Sequence, residues 1–294
     1  MEKLPEMAVK VLEFLRGIGP YQGDFRQSSK PIHLGKCPFV GAIDTLINAI
    51  WSDLSYGALM LKLPLFVTRR NKYIAGAIMY AVGYACYYFT NHNNFSEPRQ
   101  LPMTWIDLTT PFIPLSVLIY ISEYFYFAFV YILLRHNDNI NKYLYSFFFL
   151  QCLSCAIFVV YPTIYPRENF PVPSDTPAWL NSIWVWLRQQ DAATNCLPSL
   201  HVSSVYLSSF AFLSENSKKK FWIFFIWSTL IALSTLTTKQ HYVADIVSGL
   251  FLAVVFYRWF HLKQAYQRIY GAEPIPQMVT TEESSRPQLQ ALDS

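Results

Sequence analysis

Two histidines and one aspartate are spaced for chemistry. His241 and Asp245 stand four apart in Lys239-Gln-His-Tyr-Val-Ala-Asp245. On a helix that spacing puts both on one face, where the carboxylate can accept a hydrogen bond from one imidazole nitrogen. The other nitrogen is left as a nucleophile, which is the logic of a catalytic triad with histidine itself attacking. His201 lies forty residues earlier and follows Pro198 and Ser199 in Cys196-Leu-Pro-Ser-Leu-His-Val. Pro198 and Ser199 mark a helix start, whose outward-pointing N–H groups can bind an anion. A protonated His201 could donate to a leaving oxygen, a general-acid role worth about 10²–10⁴-fold in rate. Two cations are candidates to hold a phosphate beside Ser199: Lys239, two residues before His241, and Arg167, whose guanidinium can act as a bidentate clamp. Each residue also has a plain structural alternative, such as a His–Asp tie across a helix turn or a headgroup-facing charge. Within an otherwise apolar span, an ionisable residue is a functional candidate by default.

The elements that must carry these residues are membrane helices. At 53% hydrophobic and 17% aromatic, the chain of 294 residues has more apolar surface than a soluble fold of its length would bury. Its charged fraction is 14%, and the basic residues fall in short clusters with no broad stripe, which argues against a nucleic-acid partner. Six stretches read as spans: Tyr73–Thr90, Phe112–Leu134, Tyr143–Tyr161, Leu200–Leu213, Phe221–Thr237 and Tyr242–Phe260. The fourth is short against the roughly 20 residues a bilayer needs, so it is expected inside the bundle, its serines covered by neighbours. The fold class is therefore an all-α, polytopic six-helix membrane bundle. Interfacial amphipathic helices are expected before it, at Leu4–Leu15 and Ile43–Leu54, with a seventh span over Ile43–Phe66 as the alternative. Three regions follow: residues 1–70, interfacial; 71–262, the catalytic bundle; and 263–294, a largely disordered tail.

Basic residues set the expected orientation. Arg69, Arg70 and Lys72, Arg135 and Lys142, Lys218–Lys220, and Arg258, Lys263 and Arg268 all fall on one side of the six spans. By the positive-inside rule that side, with both termini, is cytoplasmic. His201 and His241 then reach the opposite, non-cytoplasmic face at similar depth, although neither entered the orientation argument. The long outer loop Pro162–Pro198 holds Trp179, Trp184 and Trp186, which suit a helix at headgroup level. Five cysteines make an odd count, and Cys152 and Cys155, inside an apolar run, read as packing. The N-terminus has no continuous apolar region of the signal-peptide kind.

At these residues the chain resembles the type 2 phosphatidic acid phosphatase superfamily. The resemblance covers about Trp105 to Phe260 and is specific at Pro-Ser-x-His (Pro198–His201) and at His-Tyr-x-x-Asp (His241–Asp245). Asp107 to Tyr120, with Pro111-Phe-Ile-Pro114, is a looser echo. The resemblance implies that His241 forms a phosphohistidine, Asp245 orients it and His201 protonates the leaving group; no metal or other cofactor is implied. The chain departs from the usual pattern in several places. Lys62 and Arg69 have the spacing of its first motif, but Arg70 replaces a proline and the orientation puts them at the wrong face. Leu200 stands where glycine is usual, and Thr235 where arginine is usual. These departures resemble the branch containing inositol phosphorylceramide synthases and sphingomyelin synthases, which pass a phospho-alcohol to a second lipid's hydroxyl. A lipid phosphatase or head-group phosphotransferase acting on membrane lipid substrates is the expectation. The alternatives are a proton-relaying transporter, which should show discontinuous spans and symmetry between halves, and a catalytically silent scaffold.

Overall fold

The computed structural model describes residues 63–263 and 266–268, all within one compact unit, Leu59–Ser294. The helices are α1 (Lys72–His92), α2 (Trp105–Thr109), α3 (Val117–Ile121), α4 (Glu123–Leu133), α5 (Asn137–Val160), α6 (Ala178–Gln190), α7 (Leu200–Ser214), α8 (Lys218–Thr237) and α9 (Val243–Tyr257). A 3₁₀ turn at Pro114–Ser116 leads into α3 and α4, and a π turn at Arg258–Lys263 continues α9.

Every stretch read as a span is helical. Among the described residues, four helices are long and apolar enough to cross a membrane: Pro114–Leu133, Asn137–Val160, Lys218–Thr237 and Val243–His261. These make the chain an integral membrane protein. α1 has the length, but Tyr73, Tyr80, Tyr84, Tyr87 and Tyr88 dilute its apolar character. α7 rises only about 22 Å at 1.5 Å per residue, against a hydrocarbon core of about 30 Å.

α7 is the hub, packed by α4, α5, α8 and α9 and buried from Leu200 to Phe212. Four serines inside an apolar bundle would be costly without partners. Here each hydroxyl donates to a carbonyl of its own helix: Ser203 and Ser204 to Leu200, Ser208 to Ser204, and Ser209 to Tyr206. Small side chains also let neighbouring helices come close. One close approach is at Gly249 of α9, where a Cβ would stand 2.7 Å from the Ser199 carbonyl oxygen.

Short strands tie the loops at one end. β2 (Arg99–Gln100) pairs in parallel with β3 (Thr163–Ile164), and Ile164 bridges to Thr194. Three loops are thereby fixed over the start of α7. At the other end β1 (Leu63–Leu65) pairs in parallel with β4 (Tyr266–Arg268), so a strand occupies part of the stretch read as tail.

The expected helices at Leu4–Leu15 and Ile43–Leu54, and the tail from Glu273, lie outside the described residues. Of the alternative span Ile43–Phe66, the described end Leu63–Leu65 is extended. One tryptophan departs from the headgroup expectation. Trp179 and Trp186 are exposed, but Trp184 is buried against Val117 and Tyr120, its indole N–H donating to the Pro114 carbonyl at 3.1 Å. It fastens α6 over the start of the Pro114–Leu133 span.

Candidate active site

The start of α7 places His201. Ser199 is the N-cap, its Oγ accepting the Val202 N–H at 3.3 Å, as a serine cap should. Its own N–H donates to the Asp245 carbonyl at 3.2 Å. With Gly249 permitting contact, this bond holds the beginnings of α7 and α9 together. The N–H groups of Leu200 and His201 stay without a hydrogen bond among the described residues, as the first turn of a helix leaves them.

His241 is placed by the end of α8. That helix closes in a Schellman motif: the Gln240 N–H donates to the Thr235 carbonyl at 2.9 Å and the Lys239 N–H to the Leu236 carbonyl at 3.1 Å. Lys239 takes the left-handed conformation the motif requires, at φ 55°. The His241 N–H also reaches the Thr235 carbonyl, at 3.3 Å. Thr235, where arginine was the usual residue, thus anchors the histidine through its backbone, while its side chain is buried and bonded to Ala232.

The His241–Asp245 contact forms, though not by the expected route. α9 begins only at Val243, so His241 precedes the helix. Asp245, in the first turn, reaches back and accepts from the Tyr242 N–H at 2.9 Å and from His241 Nδ1 at 3.3 Å, both on Oδ2. A carboxylate capping its own helix therefore also fixes the imidazole. Among the described residues, His241 Nε2 forms no ion pair with a carboxylate.

The two imidazole rings lie 5.4 Å apart, centroid to centroid, and both are buried. His201 Nε2 lies 2.7 Å from the Tyr120 hydroxyl and 3.2 Å from Glu123 Oε1. Tyr120 donates its one proton to Asp191 Oδ2 at 3.0 Å, so its oxygen accepts from His201. That network assigns a proton to Nε2, leaving Nδ1 as the nitrogen whose protonation can change.

Arg167 lies one residue further along this chain of bonds. Its guanidinium donates to the Asp191 carbonyl at 2.5 Å and to Asp191 Oδ2 at 3.2 Å, and its Nε is buried without a partner among the described residues. Burial alone would push the Asp191 carboxyl up. The Arg167 guanidinium, helped by His201, the Tyr87 hydroxyl and His241, holds it below the usual carboxylate range. Asp191 is therefore an anion, and its field favours an imidazolium at His201.

Lys239 turns elsewhere. It is buried, its Nζ donating to the Asp107 carbonyl at 2.7 Å above the Phe170 ring. Burial pulls its ammonium below the ordinary lysine value, with Asp107 opposing. Asp107 accepts from the N–H and hydroxyl of Thr104 and, across the loops, from the Val243 N–H at 2.8 Å. The Asp107-to-Tyr120 stretch thus contributes one residue that steadies α9 and one that touches His201.

The sequence reading brought His201, His241, Asp245 and Ser199 to the centre but missed Tyr120, Glu123 and the position of Asp191. Glu123 carried a usable signal, being an acid inside an apolar span. Tyr120 stood only at the end of the looser echo from Asp107, and nothing assigned a role to Asp191. Donor atoms of Cys196, His241 and Asp245 also lie within 4.8 Å of one another, all buried. Beside His201 a cavity of about 90 Å³ is lined by Tyr87, Glu123, Asp191 and Ser204.

A family model described as the PAP2 superfamily matches residues 99–259, more than half of the chain. No curated protein and no solved structure matches it.

Proposed function

We propose, from the premise that the chain belongs to the PAP2 superfamily, that it is an integral membrane phosphatase or head-group phosphotransferase of lipid phosphoesters, working through a phosphohistidine at His241. One observation carries the reading: two buried imidazoles 5.4 Å apart, one with its Nδ1 on a carboxylate and the other bonded to a Tyr–Asp–Arg chain.

In the first half-reaction His241 Nε2 attacks phosphorus while Nδ1–H stays on Asp245. A P–N bond forms, the ester P–O bond breaks, and the leaving oxygen takes a proton from His201. In the second, His201 removes a proton from water or from an incoming hydroxyl, whose oxygen attacks phosphorus as the P–N bond breaks. Hydrolysis and transfer share the first step, and exclusion of water decides between them. The Asp191 carboxylate favours the imidazolium on which the first step depends. The N–H groups of Leu200 and His201 and the Nε of Arg167 serve the phosphoryl oxygens. Ser199 shapes that helix start, and Lys239 adds positive charge from behind Phe170.

Thr235, in place of arginine, leaves fewer donors at the phosphate, and Leu200 adds bulk where glycine is usual. This supports the finer assignment to the transferring branch typified by inositol phosphorylceramide and sphingomyelin synthases. The basic clusters flanking the helices support a site on the non-cytoplasmic face with both termini cytoplasmic.

The test uses ³²P-labelled lipid extract with the full-length protein in detergent. Alkaline quenching should leave label on the peptide holding His241, and His241→Ala should abolish both label and turnover while the protein remains folded. The fate of the label, as inorganic phosphate, phospho-alcohol or a new lipid, separates hydrolysis from transfer. Undiminished turnover in His241→Ala ends the reading.

A further inference from the structure

The cavity beside His201 does not stop there. It shares Tyr80, Tyr124, Phe127 and Phe147 with a second cavity of about 420 Å³ that runs on between α1 and α4 over a floor of α5. The two adjoin at these four side chains and are taken together as one cleft. Its chemistry changes along its length: Glu123, Gln151, Asp191 and His201 line one end, whereas Ala77, Ala128, Tyr131 and Ile132 line the other.

Hydrogen bonds close the cleft at both ends and leave its side open. Near the histidines, Tyr87 donates to Asp191 Oδ1 at 2.6 Å and Tyr84 to Gln190 at 3.1 Å, tying α1 to the end of α6 and the loop after it. At the far end Lys72 Nζ donates to the Leu134 carbonyl at 2.7 Å, and Tyr131 donates to the Lys72 carbonyl at 2.8 Å. Gly76 lies against Tyr131, where a Cβ would overlap the ring. Between the ties Ala77, Tyr80, Ala128 and Ile132 are exposed, on the same flank of α4 as the exposed Phe125 and Phe129.

From Tyr87 to Gly76 the cleft follows α1 for about 16 Å at 1.5 Å per residue. Half of a bilayer's hydrocarbon core of about 30 Å is about 15 Å. A slot one leaflet deep, polar at the reacting end and apolar beyond it, fits one molecular shape. We infer that the cleft between α1 and α4 seats a hydrocarbon chain of the lipid whose phosphoester reaches His201, the lipid entering sideways from the bilayer. The inference rests on the lipid phosphoester reading and adds where the chain lies.

The test is photolabelling, which needs no turnover. Full-length protein in phosphatidylcholine nanodiscs is photolysed with phosphatidic acid carrying a diazirine near an acyl terminus, and labelled residues are mapped by mass spectrometry. Phosphate release is measured separately. Label is expected on Ala77, Ala128, Tyr131 or Ile132, and a diazirine near the glycerol should move it toward Tyr84 and Tyr124. Ala128→Trp, and independently Ala77→Trp, should cut labelling at the far end about tenfold, whereas His241→Ala should leave it in place. Label confined to residues outside the cleft, or unchanged labelling in both tryptophan variants, overturns the inference. Cleft labelling with neither phosphate release nor head-group transfer to another lipid supports the chain site and removes the catalytic reading instead.

Discussion

Asp245→Asn isolates the one bond on which the nucleophile depends. In the native site Oδ2 accepts from both the Tyr242 N–H, at 2.9 Å, and His241 Nδ1, at 3.3 Å. Asparagine keeps a carbonyl oxygen for the first bond, so the start of α9 remains capped. The same oxygen still accepts from Nδ1–H, and the NH₂ takes the buried place of Oδ1, which has no hydrogen-bond partner among the described residues. What is lost is the negative charge that steadies the imidazole as it becomes cationic on attack. A hydrogen bond to a charged group is worth about 1.5–3 kcal/mol, so turnover should fall by about 10–10²-fold at 1.36 kcal/mol per tenfold. Because the cap survives, thermal stability should change by under about 1 kcal/mol, less than losing a cap outright. The assay is phosphate or head-group release by purified full-length protein, with thermal unfolding in the same detergent. Residues acting as one unit are not additive, so His241→Ala with Asp245→Asn should be no slower than His241→Ala alone. Asp245→Asn turning over within twofold of the native protein, with unaltered stability, would refute the argument.

Two further perturbations probe the supports of the site. Gly249→Ala places a Cβ 2.7 Å from the Ser199 carbonyl oxygen and 3.2 Å from the Ser203 nitrogen, backbone atoms that cannot rotate away. It should cost about 1–3 kcal/mol as overpacking and slow turnover by about 10²-fold as the histidines separate; native melting and native activity together would show that the helix starts need not touch. Asp191→Asn leaves Arg167 buried without its counter-charge, a loss of about 3–5 kcal/mol near pH 7. The native carboxyl lies below its unfolded value, so its contribution is fully present above about pH 3.9 and is lost as pH falls through the lower folded value. Melting curves of native and Asp191→Asn protein should therefore stay apart from pH 5 to 8 and converge below about pH 4; a gap unchanged down to pH 2 would show that the ion pair is not its source.

Local spacing and hydrophobic runs were enough to locate much of this protein. An uninterrupted apolar stretch must become a helix in a bilayer, because no water is present to satisfy its backbone. The helices accordingly fall where those runs fall, and a serine-rich run too short to span becomes the buried α7. His201, His241, Asp245 and Ser199 were legible for a related reason: polar groups at the end of an apolar helix need a purpose. What the chain could not disclose by itself were the relations between elements distant in sequence. The bond from Tyr120 to His201 crosses 81 positions, and Arg167 meets Asp191 where the bridge between Ile164 and Thr194 holds their loops together. The His–Asp spacing foretold a contact but not its form, since that depended on where α8 ended and α9 began. A spacing constrains neighbours on one element. Only packing decides which buried charge faces which, because the desolvation that makes such groups costly is imposed by the rest of the fold.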